Sequence, residues 1–258
     1  MAGGSVASVL QRVPVASAST LAERLDVPGG RPPFPVVAPL ASLLPGGGLR
    51  RGSVVAVHGS TALLLALLAA ATTQGAWAAV VGVGDLGVLA ATEAGVVVGR
   101  LALVPRPGSD PAPVAAALLD GVGLVALAGV ERLPSGARRS LAARARQRGS
   151  VLLPLGRWPG ADVELNCRAR SWHGAEAGHG RLCSREVVVR AVGRGAAARP
   201  RTAHLLLPGP GGPVAAVHAN PGRYRMPREA AALRLQDARR LAEAVAEARL
   251  NGTRTYGR

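Results

Sequence analysis

The chain has 258 residues, 48% hydrophobic but only 2% aromatic. That suffices for one sizeable α/β domain with tails, or two small domains, with a core resting on Val, Leu and Ala. All 31 basic residues are Arg, and against 15 acidic residues they leave a net charge of +16, a surface suited to a polyanion or an acidic protein. The 2 cysteines exclude a disulfide-stapled secreted scaffold. The most apolar run, Thr61 to Ala71, is too short to span a bilayer. Met1 to Leu10 is apolar but lacks the charged leader of a secretory signal. The expectation is a soluble cytoplasmic protein with no membrane partner.

In chain order, residues 1–35 read as a short amphipathic arm and a linker. Pro28-Gly29-Gly30-Arg31-Pro32-Pro33 and Pro35 cannot sustain a helix or a central strand. The core is expected over residues 36–220, and a C-terminal arm over 221–258. After the break Leu44-Pro45-Gly46-Gly47-Gly48, a strand is predicted over Ser53 to Val57 and a helix over Thr61 to Thr73. Trp77 to Val83 suits a strand buried on both faces. Asp85 to Ala94 is predicted helical with Asp85 as its cap, then Leu101 to Val104 a strand and Pro111 to Leu119 a helix. Gly123 to Ala128 (strand), Ser135 to Gln147 (Arg-rich helix) and Val151 to Leu155 (strand) complete a βα alternation. Such alternation predicts a three-layer α/β fold around a mainly parallel sheet. Val163 to Trp172, Glu186 to Val192 and Ala203 to Leu207 then predict an antiparallel extension, with Gly174 to Gly180 as a hairpin connection. Pro227 to Leu250 is predicted as a helix with an Ala-rich stripe that includes Leu235, Ala238, Leu241 and Val245.

Strand, turn and helix follow one another over Gly52 to Leu68 as they do around a phosphate-binding loop. Such a loop needs G-x-x-x-x-G-K-[ST]. Here Gly59-Ser60-Thr61 leads almost directly into helix, without a second glycine in register and without lysine. Ser60 or Thr61 could meet a phosphate at the helix N-terminus, but a helix cap needs no ligand and is the expected role.

The order of elements resembles the RecA-type recombinase core, with a degenerate P-loop. More closely, the chain is similar to ImuA-type proteins, in particular the actinobacterial ImuA-prime form. The resemblance rests on Pro45-Gly-Gly-Gly-Leu-Arg-Arg-Gly-Ser, Gly59-Ser-Thr-Ala-Leu-Leu-Leu-Ala-Leu-Leu and Trp77-Ala-Ala-Val-Val-Gly. It continues through Leu101-Ala-Leu-Val-Pro-Arg-Pro-Gly, Leu141-Ala-Ala-Arg-Ala-Arg-Gln-Arg-Gly, Trp172-His-Gly and Gly178-His-Gly-Arg-Leu, within residues 38–212. It implies an accessory role in SOS-induced mutagenic translesion synthesis, with an ImuB-like Y-family polymerase homologue and an error-prone C-family polymerase as partners. RecA itself and non-specific DNA are the alternative partners. Against the RecA pattern, Ala128-Gly129 stands where a Walker B acid should end its strand. Val83-Gly84 stands where a second carboxylate should activate water. The resemblance and these departures together imply a pseudo-ATPase with no cofactor and no catalytic residue.

Arg157 and Trp158 pair a cation with an aromatic, as a base-stacking site would, but one aromatic makes no platform and burial at the sheet edge is the simpler expectation. Arg168, Arg170, Arg190 and Arg194 are candidate DNA or partner contacts on the extension. Cys167, His173, His179 and Cys183 have ligand chemistry but not the tight pairs of a zinc site, so no metal is expected. Arg138, Arg139, Arg144, Arg146 and Arg148 cannot share one face and are expected to solvate their helix. The C-terminal helix is as suited to a partner's groove as to its own sheet.

Overall fold

The computed structural model describes residues 31–176, 179–209 and 211–217. The arm before them and the helix expected over 227–250, with Leu235, Ala238, Leu241 and Val245, lie outside the described residues. A two-residue strand, β1 (Phe34–Pro35), pairs antiparallel with β2 (Gly48–Leu49) across a short helix, α1 (Ala38–Ala41), that the sequence reading missed. Phe34 is the chain's one phenylalanine and is buried. A Cβ on Gly123 would lie 2.7 Å from its ring, so glycine there admits the ring beneath the sheet. The packed core therefore begins ahead of residue 36, inside the expected linker.

The alternation then follows as predicted: β3 (Val55–His58), α2 (Thr61–Thr73), β4 (Ala78–Val81), α3 (Val88–Glu93), β5 (Leu101–Val104), α4 (Ala112–Gly121), β6 (Leu124–Leu127), α5 (Ser135–Arg148) and β7 (Val151–Pro154). Strands β5, β4, β6 and β7 form a parallel ladder in that order. Bridges Val54–Leu152 and Val57–Leu155 join β7 to β3, and β3 pairs in parallel with β8 (Val163–Glu176). From β8 the sheet continues antiparallel through β9 (His179–Gly193), β10 (Arg201–Leu206) and β11 (Ala215–Ala216).

Every residue of β4, β6 and β7 is buried. Alternate side chains enter two cores, one with α2, the other with α4 and α5. Helix α2 is apolar on all sides and correspondingly deep, with nine residues from Leu63 to Thr72 buried. Helix α5 ends at Gly149, whose φ of 68° makes the left-handed turn that ends many helices.

Two expectations are corrected. Asp85 is no cap: α3 starts at Val88, Gly87 holds the cap position, and no side chain caps it. The glycines at 84 and 87 delay the helix past the carboxylate. The ladder between β8 and β9 also runs on to Glu176 and His179, so most of the expected connection is paired strand. Register shifts at Ala169/Ser171 and His173/Ala175 carry the ladder through.

Candidate functional site

Strand β3 lies at the seam between the parallel ladder and the extension, and the turn after it is the candidate site. Only Gly59 and Ser60 separate His58, the last residue of the strand, from Thr61, the first of α2. Gly59 has φ of 79°, and a Cβ there would lie 2.5 Å from the Cys167 carbonyl oxygen. Conformation and close approach both require glycine. Ser60 is the cap, as expected: its Oγ accepts the Leu63 N–H at 3.2 Å.

The sequence reading did not foresee that this hydroxyl has a second partner. Arg185, on β9, donates from Nη2 to Ser60 Oγ at 3.1 Å and from Nε to the Leu207 carbonyl at 3.1 Å. Its guanidinium lies 5.4 Å from the centre of the Trp172 ring. A cation from the extension is thus fixed at the N-terminus of α2, at the end of the helix dipole that favours anions. Below it, burial pushes the Cys167 thiol up, against the pull of the Ser60 hydroxyl and the Arg185 charge.

On the other side of the turn, His58 Nε2 is buried without a hydrogen bond among the described residues and lies 3.9 Å from a Glu164 carboxylate oxygen. A cavity of about 260 Å³ opens between His58, Ser60, Thr61 and Gly156. Gly156 has φ of 130°, and a Cβ there would collide with the Glu131 carboxylate. Glu131 thereby comes against the cavity's edge, although it stands past the end of β6, in the turn Val130–Arg132. A phosphate cradle wraps several successive backbone N–H groups around its ligand, and a two-residue link has no length for that wrap. A second cavity, of about 310 Å³, lies beside α2 and α3 with Asp85 and Glu93 in its lining.

The other predicted residues separate. Arg157 is exposed, but Trp158 is only 2% exposed and sits in the core with α4 and α5. It therefore offers no ring to a base; Arg138 lies 5.9 Å from it instead. Arg168 and Arg190 share the open face of the extension, diagonally across the Asn166–Arg190 and Arg168–Val188 pairs. Arg170 is exposed at the register shift. Arg194 is exposed and donates to the Gly160 carbonyl. Cys167 packs toward α2, whereas His173 lies near Ser171 and Glu186 on the opposite face, so these two share no site.

In α5, Arg138 bonds the carbonyls of Val130 and Glu131 at 2.8 and 3.1 Å. Arg144 grips both Asp120 oxygens at 2.8 and 2.6 Å, and Arg148 adds a third bond at 3.0 Å. Hydrogen bonds and charge from these arginines hold the Asp120 carboxyl at about 2, against 3.8 ordinarily. Arg139 and Arg146 remain exposed.

Residues 42–160 match the family model of the MT3502 N-terminal domain. Over 130 residues the chain is 44% identical to an uncharacterized protein of Mycobacterium tuberculosis, Rv3395c. The match covers 49% of this chain and 64% of that relative, so the chain spans less than two thirds of the relative's length. Among solved structures, the RadB recombinase superposes with a TM-score of 0.51 at 16% identity, over 69% of this chain and 96% of that one. The flagellar accessory protein FlaH from Methanocaldococcus jannaschii superposes with a TM-score of 0.46 at 11% identity, over 67% and 93%.

The fold is RecA-like. The likeness to RadB carries the architecture and nothing of the chemistry. Among the described residues, no helix is long and apolar enough to cross a membrane.

Proposed function

We propose that the chain is a non-catalytic RecA-like accessory protein of SOS-induced translesion synthesis, acting in the cytoplasm as a scaffold. It docks an ImuB-like Y-family polymerase homologue and an error-prone C-family polymerase. The observation that carries the non-catalytic part is the two-residue link from β3 to α2. Phosphoryl transfer is catalysed by positioning and by cations around the phosphates. Here the loop that would position them is missing, the chain has no lysine, and β6 runs into Ala128-Gly129 without a carboxylate. The translesion part is supported by the ordered ImuA-type phrases within residues 38–212. The RecA-like frame beneath them supplies surfaces for docking in place of a chemical step.

Two measurements test the reading. Phosphate release from ATP by the purified chain, with and without DNA, is expected to stay at background. DNA-dependent turnover that disappears in Ser60→Ala would overturn the non-catalytic part. In a pull-down, the full chain is expected to retain the ImuB-like protein. Retention of RecA alone would replace the scaffold by a modulator of recombinase filaments.

A further inference from the structure

All parallel strands of the sheet begin at the rim opposite the Gly59–Ser60 turn, and arginine gathers there. Arg146 and Arg148 close α5 just before β7, Arg50 and Arg51 precede β3, Arg194 follows β9, and Arg199 precedes β10. These segments touch. A Cβ on Gly52 would lie 3.1 Å from the Arg146 Cα, Arg50 Nη2 lies 3.4 Å from Asp162, and the Arg194 N–H bonds the Asp162 carbonyl at 3.1 Å. Adjacent strands are about 4.8 Å apart, so the four spacings from β7 to β10 span roughly 19 Å.

Two carboxylates stand along this stretch among the described residues. Asp120 is taken by Arg144 and Arg148. Asp162 accepts the Val54 N–H at 2.9 Å beside Arg50. Other guanidinium groups are held by carbonyl oxygens, which orient them without cancelling their charge: Arg194 by Gly160 and Arg201 by Leu44. Oriented guanidinium forks with spare donors suit phosphate oxygens. Arg146 and Arg199 are exposed, with no ion pair among the described residues.

At the same rim, just before β4, Trp77 is 49% exposed. The Arg100 guanidinium lies 6.0 Å from its ring and is anchored on the Gly75 carbonyl at 2.8 Å. An exposed aromatic beside a cation, next to a line of guanidinium groups, is the combination that holds an unpaired base and its backbone. We propose that this rim binds single-stranded nucleic acid, with phosphates along the arginines from β7 to β10 and a base stacked on Trp77. The proposal does not rest on the docking reading, and a failed pull-down leaves it untouched.

The test is fluorescence anisotropy of a labelled thymidine oligomer with the full chain, across a salt series. Arg146→Glu with Arg199→Glu is compared with Arg106→Glu and Arg139→Glu, an equal charge change at the opposite rim. Circular dichroism melting verifies that both pairs fold. The first pair is expected to weaken binding about tenfold or more and to lower the salt slope by about 1.4, the share of two single-strand phosphates. The control pair is expected to change affinity less than about threefold, as a small long-range effect. Trp77→Ala is expected to weaken binding roughly tenfold and to remove most of the tryptophan quenching by the oligomer. Equal losses in both pairs, a preference for duplex, or no binding by the unaltered chain would overturn the assignment. So would binding to phosphatidylserine vesicles without binding to the oligomer, which would make the rim a membrane surface.

Discussion

In β4, β6 and β7 every side chain is buried, whereas along β8, β9 and β10 burial alternates. Val163, Leu165, Val187, Val189 and Leu205 pack inward, and Arg168, Arg190 and His204 face solvent. Strands β4, β6 and β7 are a continuous wall that leaves no position free for polar chemistry. The extension has a whole face to spare and can send side chains back across the seam. Arg185, on the packed face beside Val187, reaches Ser60 at the head of α2. The candidate site is therefore composite: its helix comes from the parallel half, its cation from the extension.

The largest effect that would test this contrast is in the wall. Leu127→Ala is expected to cost about 3 kcal/mol, because a closed strand cannot collapse onto the void. Arg190→Ala on the open face should stay within about 0.5 kcal/mol. Urea denaturation of both variants measures the difference, and equal losses would erase the distinction.

A smaller effect sharpens the seam. Ser60→Ala removes the cap and is expected to cost about 1 kcal/mol. Combined with Arg185→Ala in a double-mutant cycle, the two should couple by about 0.5 kcal/mol or more, since they touch. Strict additivity would mean that the cation holds only the Leu207 carbonyl.

The smallest effect lies within the helical layer. Asp120 is held near 2 in the folded chain, against 3.8 ordinarily. A depressed carboxyl stabilises the fold above its unfolded value and loses that contribution as pH falls toward the folded one. The melting temperature of Asp120→Asn should thus lie slightly below that of the unaltered chain at neutral pH, with the gap closing between about pH 4 and pH 2. A gap that persists at pH 2 would assign the effect to packing.

Much of this architecture is legible in the residues. Thr61–Thr73 reads as a helix because Ser60 can cap an unbroken apolar run, and Leu101–Val104 reads as a strand between turn residues. What escapes such reading depends on distant partners. Ser60 and Arg185 are 125 positions apart, and no local pattern announces their bond. Trp158 is buried, as expected at the sheet edge, but that the core with α4 and α5 covers it is set by residues remote in sequence. Gly174 and Gly180 look like loop ends because pairing on the opposite strand, not their own propensity, keeps that stretch extended. The basic rim is invisible in sequence, because connections remote along the chain meet only when the sheet is assembled.

The contact between Gly59 and the Cys167 carbonyl bears on what this chain could become. Thr61 is already helical, so a lysine substituted there would ride on the first turn of α2 with no arch to carry it over a ligand. A nucleotide loop would need several inserted residues and a retreat of β8 from the turn. Single substitutions reach neither.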